Sequence, residues 1–129
     1  MREQNARLRK AVESGDLSLI QLYRPGLHKR VTELLQAATT NPWLVFTAYN
    51  LFRLAYGKTL ELMVNDAIQI DPVASQGFEH LGGANQADWV GLGSLAGVLY
   101  DLTTEAGAES HMERFYGERM RIVTYDPPW

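Results

Sequence analysis

The chain has 129 residues, 46 % of them hydrophobic and 21 % charged, which is enough apolar material to bury a core in one domain. A net charge of −3 gives no argument for nucleic acid or acidic substrates as a property of the whole chain, and zero cysteines exclude disulfides, thiolate zinc sites and a cysteine nucleophile. The charge is unevenly placed: residues 1–30 hold seven Lys and Arg against three Asp and Glu, a balance of +4 that leaves −7 for the rest.

The charged start, MREQNARLRK, has no apolar run behind it, so no secretory signal is expected. The longest uncharged runs, such as 89–100, fall short of the roughly 20 residues that a membrane span needs. The expectation is a cytoplasmic protein with no membrane span and no cofactor.

Residues 2–13 read as a mostly wet helix, with Leu8, Ala11 and Val12 on one side. Ser14-Gly15-Asp16 stops it and caps a short apolar turn or two, which Pro25-Gly26 interrupts. Leu27, Val31, Leu34, Leu35 and Ala38 then take one side of an amphipathic helix whose other side carries His28, Lys29, Arg30 and Glu33. Asn41 and Pro42 start the segment that organises the rest, a central helix over 42–70, about 43 Å long at 1.5 Å per residue. Its polar residues Asn50, Arg53, Lys58, Glu61 and Asn65 form a narrow strip, so it is read as buried on most sides and continuous through Gly57.

Residues 71–86 read as a glycine-containing loop. After it, Leu92, Leu95, Leu99, Leu102 and Ala106 alternate steps of three and four, which predicts a helix opening at Asn85 or Gln86. On that helix Gly93 and Gly97 form a small-residue face for close packing. Met112, Phe115, Tyr116 and Met120 restore helical spacing, 121–125 turns β-like, and Pro127-Pro128-Trp129 cannot be helical. No earlier segment reads as a strand, so 121–129 is expected to be an extended C-terminal arm. It either adds to a partner or folds back with Trp129 on the protein's own core. The fold expectation is one all-α domain over 1–129, a compact bundle of four to five helices around the central one, with a basic segment at 1–30.

Candidate chemistry is sparse. Asp101, Glu105, Glu109 and Glu113 recur every four residues and would share a helix face, repelling one another by a few tenths of a kcal/mol per pair. Such a ladder would hold a hard cation such as Mg²⁺ or Ca²⁺, or else face solvent or the basic N-terminus; one helix face cannot encircle an ion, so the second reading is preferred. His28, His80 and His111 lack the Glu-x-x-His spacing of a di-iron bundle. Adjacent residues diverge too far on a helix for Glu109-Ser110-His111 to act as a relay, and Glu79-His80 is the better acid–base pair. The run 91–97 lacks the Lys-Ser/Thr of a phosphate loop. No catalytic or metal-binding residue is assigned.

The leading expectation is a non-enzymatic helical interaction or assembly subunit that self-associates or bridges larger partners, as in a virus-encoded or other multi-subunit particle. Its interaction residues would be Arg2, Arg7, Arg9, Lys10, Gly93, Gly97, Ile122, Val123, Tyr125 and Trp129. One alternative is a nucleic-acid binder using the basic N-terminal residues with Lys29 and Arg30. The other is a metal-dependent enzyme using the acidic ladder and the Glu79-His80 loop.

Overall fold

The computed structural model describes residues 3, 6, 7, 10, 16–83, 86–114 and 119–127. The chain forms two compact units, residues 1–62 and residues 63–127, with the boundary inside the long helix.

The first unit is helical. α1 (Asp16–Tyr23) and α2 (Pro25–Ala37) are separated by Arg24 alone, because Pro25 has no N–H to extend the first ladder and its ring presets the first turn of the next. The long helix α3 (Leu44–Ile70) spans 27 residues with no break at Gly57. It starts two residues later than the sequence suggests, where the Leu44 N–H donates to the Asn41 carbonyl at 3.0 Å. Val45, Ala48, Tyr49, Phe52 and Ala55 of α3 pack with Ile20, Val31 and Leu34 of α1 and α2 to make this unit's core. Phe52, with no exposed surface, is its largest fully buried side chain; burying such a side chain contributes about 1.5–3 kcal/mol. Glu61, placed by periodicity in the polar strip of α3, is instead 4 % exposed, with Lys58 Nζ 3.9 Å from its carboxylate.

The second unit corrects the all-α expectation, because it contains a four-stranded sheet ordered β1-β2-β3-β4. After α3 comes α4 (Ala74–Gly77), then β1 (Phe78–His80), β2 (Trp89–Gly91), β3 (Leu99–Thr104), α5 (Ala108–Arg114) and β4 (Met120–Tyr125), with 3₁₀ turns at Gly93–Leu95 and Glu105–Gly107. β1, β2 and β3 run antiparallel in succession, while β4 lies parallel to β3 from Leu99↔Met120 to Thr104↔Tyr125. A parallel neighbour requires a crossover, which α5 supplies.

The helix expected after residue 85 is therefore a β2–β3 hairpin. Its leucines do recur at helical steps, but Gly93 and Gly97 sit at φ +58° and +83°, in turns that a helix does not contain. They are not a small-residue helix face. Gly91 is required for a different reason: a Cβ there would lie 2.4 Å from the Leu95 backbone oxygen. The segment 121–125, expected to be an arm, is the fourth strand of the sheet.

Residues paired in register share a face, so His80, Trp89, Tyr100 and Arg121 lie on one side of the sheet and Asp101 and Ile122 on the other. On the first side Phe78 meets Tyr100 edge-on at 5.1 Å, and Trp89 Nε1 donates to Asn65 Oδ1 on α3 at 3.3 Å. Among the described residues no helix is long and apolar enough to cross a membrane.

Two predictions follow from the local geometry of this unit. Gly91→Ala should lower the urea midpoint, at a cost of about 1–3 kcal/mol for forced backbone movement, whereas Gly77→Ala, which meets nothing within 4 Å, should leave it nearly unchanged. Asp71 Oδ1 accepts from the N–H groups of Val73 and Ala74, both at 2.9 Å, and these bonds hold its carboxyl below its ordinary value of 3.8. A depressed folded pKa gives stability that is present above the unfolded value and lost as pH falls through the folded one. Asp71→Ala should thus lower the urea midpoint at pH 7, with the gap to the parent chain closing as pH falls below about 3.9.

Candidate functional site

The sheet brings together three groups that the sequence scatters. Asp88 stands one residue before Trp89, and the β2–β3 register carried one step beyond Trp89↔Tyr100 sets it opposite Asp101. The backbone bonds agree: the Leu81 N–H donates to the Asp88 carbonyl at 2.9 Å, and the Leu102 N–H donates to Asp88 Oδ2 at 2.7 Å. The side chain of Asp88 is thereby fixed against β3 beside Asp101. From the far side, His111 Nδ1 meets Asp101 Oδ2.

His111 reaches Asp101 because the chain reverses tightly after β3. Thr104 ends the strand in extended conformation and its Oγ1 accepts from the Gly107 N–H at 3.2 Å, closing a 3₁₀ turn that starts α5. Gly107 must be small, since a Cβ there would lie 2.5 Å from Thr103 Oγ1. α5 then lies over the sheet face that carries Asp101 and Thr103, both buried, and delivers His111 one turn later.

Asp101 is 3 % exposed. Burial pushes its carboxyl above the ordinary range; His111 pulls it down, and the neighbouring Asp88 pushes it further up through a hydrogen bond and its charge. The net direction is upward, so Asp101 holds its proton more tightly than an ordinary aspartate does. The His111 side chain is 25 % exposed, so this group lies at the boundary between a buried acid and solvent. Asp101 fixes one of its ring nitrogens and leaves the other for proton transfer, the division of labour of an acid–histidine pair.

The four-residue ladder does not share a face. Asp101 lies on β3, Glu105 in the 3₁₀ turn, and Glu109 and Glu113 on α5, the last three exposed. Glu79 and His80 are neighbours on β1 and point to opposite sides of the sheet; the His80 ring lies 5.7 Å from that of Trp89, tilted by 44°. Sequence reasoning missed Asp88 altogether. The available signal was the pair of aromatic and β-branched runs Trp89-Val90 and Val98-Leu99-Tyr100 on either side of a glycine-punctuated turn, a hairpin pattern.

In the first unit, Arg7 Nη1 donates to Tyr49 Oη at 2.8 Å and pairs with Glu3, while Arg7 and Arg53 lie 5.9 and 5.7 Å from the Tyr49 ring centroid. Lys10 is exposed. His28 and Lys29 line a groove of about 480 Å³ with Gln21, Thr32 and Glu33, and Arg30 sits 3.6 Å from Glu33. Arg2, Arg9 and Trp129 lie outside the described residues. Ile122, Val123 and Tyr125 are on β4. Among the described residues no group of three or more His, Asp and Glu side chains is placed to hold a metal ion. No protein-family model matches the chain, and no curated protein or solved structure matches it either.

The upward shift at Asp101 predicts a stability cost kept at neutral pH. Asp101→Asn, which keeps the shape and removes the charge, should raise the urea midpoint at pH 7 with an unchanged denaturant slope. A lower midpoint would mean that the interaction with His111 outweighs burial.

Proposed function

We propose that the second unit carries the catalytic centre of a divalent-metal-dependent hydrolase, with a phosphodiester as substrate. The observation that carries this reading is the buried Asp101 with the half-buried Asp88 opposite it and His111 against it. Burial and a neighbouring carboxylate both disfavour the charge on Asp101, a cost that a bound cation would relieve. Both donors are hard oxygens, which favours Mg²⁺ or Mn²⁺ over zinc or copper. Two carboxylates are too few to enclose Ca²⁺, but they suit Mg²⁺, which keeps several waters and completes its shell with substrate phosphate. A phosphate-bearing substrate therefore fits a two-carboxylate site better than a peptide or an ester.

Each group then has a role. Asp88 and Asp101 would hold the cation, which would supply an activated water for hydrolysis of a phosphodiester to a monoester and an alcohol. The nitrogen of His111 not engaged by Asp101 takes the proton of that water or returns one to the leaving oxygen. Arg114, one turn after His111 on α5, and Arg119 and Arg121 at the start of β4 add exposed positive charge to the same unit. These three arginines would contact phosphate locally, in a unit whose residues 63–127 carry ten Asp and Glu against three Arg, and nucleic acid is the phosphodiester proposed on that local contact. The cytoplasm is the compartment that goes with this proposal. Association with a protein partner is a proposal of equal rank and falls on the β4 edge.

The test is cleavage of supercoiled plasmid DNA and of single-stranded RNA by the full chain, with Mg²⁺, with Mn²⁺ and with EDTA. Cleavage should require the metal, fall by about 10²-fold or more in His111→Gln, a general acid–base loss, and vanish in Asp88→Asn and Asp101→Asn. The metal should also raise the melting temperature of the parent chain and of His111→Gln, but not of the Asp variants. No cleavage of either nucleic acid together with no metal-induced shift would sink the reading.

A further inference from the structure

β4 is an edge of the sheet, and it differs from edges built to stay alone. Its six residues, MRIVTY, pair with β3 along their whole length on one side. Among the described residues no strand pairs with the other side. Edge strands are usually blunted by lysine, proline, a bulge or shortness. β4 carries no lysine or proline, its only charge is Arg121, and Val123 at its middle is 51 % exposed.

We propose that a second copy of this chain adds to this edge, antiparallel and two-fold symmetric, with Val123 facing Val123 of the second copy. Symmetry fixes the possible registers. A two-fold axis perpendicular to the sheet keeps each face on its own side, so β4 must pair about a single residue, Ile122 or Val123. Pairing about Val123 sets Arg121 of each copy beside Tyr125 of the other, on one face, and Ile122 beside Thr124 on the opposite face. A guanidinium beside an aromatic ring is attractive, as is a β-branched pair at the centre. Pairing about Ile122 sets Arg121 beside Val123 and offers the guanidinium no aromatic partner. In-register parallel addition would stack Arg121 on Arg121, a like-charge clash, and would leave a further edge open instead of closing. The charge pattern of the strand thus selects an antiparallel copy of itself. This proposal is independent of the hydrolase reading.

The absence of cysteine makes a direct test available. Val123→Cys in the full chain would bring two thiols to facing positions, with Cβ atoms about 4.5–5.5 Å apart, close to disulfide range. Arg121→Cys would leave its two thiols four positions apart along the strands, about 13 Å, beyond reach. The expected result is a dimer mass for the parent chain by light scattering, rapid covalent dimerisation of Val123→Cys under mild oxidation, and none for Arg121→Cys. Val123→Lys should give a monomer with an unchanged far-ultraviolet circular dichroism spectrum. A monomer mass for the parent chain at every concentration overturns the proposal, and so does cross-linking of Arg121→Cys as fast as Val123→Cys. Should Val123→Lys fail to fold, the cross-linking comparison still decides.

Discussion

A carboxyl group removed from water is the constraint on which the second unit depends. Asp101 keeps 3 % of its surface in contact with solvent, and an unpaired charge there would cost several kcal/mol. The fold answers with Asp88 on one side and His111 on the other. The two answers oppose each other electrically, one adding negative charge and the other an imidazole. Burial raises the proton affinity of Asp101 most, Asp88 raises it further, and His111 lowers it, with a net upward direction. A packed apolar residue at this strand position would serve stability better, so the arrangement reads as chemistry retained at a cost.

The helical unit was legible because its signals are local. Pro25 and the Asn41-Pro42 pair punctuate the chain, and Val31, Leu34, Val45, Ala48, Phe52 and Ala55 fall on helical stripes that the core then uses. The sheet was not legible, because Leu92, Leu95, Leu99 and Leu102 fall three, four and three apart by coincidence of a hairpin with a helical period. Two of these leucines are among the exposed large hydrophobic residues, which shows that the spacing was never a buried stripe. For the site, Asp101 and His111 were both singled out, but as members of a helix ladder and of an adjacent trio. Their real neighbours, ten and thirteen positions away, are set by strand register and by a 3₁₀ turn, both of which are decided by tertiary pairing.

The two units also differ in what fills them. The first packs Ile20, Val31, Val45 and Phe52 into an apolar cluster, with Thr59 and Glu61 of α3 buried as well, so its stability rests mainly on apolar burial and shape. In the second, β3 alone buries Asp101, Thr103 and Thr104, and each polar atom must find a partner in fixed geometry. Thr104 does so by closing the turn at Gly107, and Thr103 lies in a space that forbids a Cβ at that glycine. Polar satisfaction of this kind fixes positions closely while contributing little net stability, a trade suited to a reactive group rather than to a scaffold.

One connection produces both the acid–histidine cluster and the open edge of this unit. The crossover from β3 through α5 to β4 carries His111 over Asp101 and then returns the chain parallel to β3, where β4 becomes the outermost strand. A hairpin return could not have done this: it would have placed an antiparallel strand beside β3 and left no helix to cover the acid. The crossover therefore couples the site to the edge. α5 is anchored between two β3 residues at its start and Arg119, whose carbonyl accepts from the Leu99 N–H at 2.8 Å, beyond its end. A partner strand that stiffened β4 would stiffen this anchor too, and through it the helix that aims His111. Association at the edge and chemistry at the acid pair are separate claims, yet the chain has routed them through the same turn of helix.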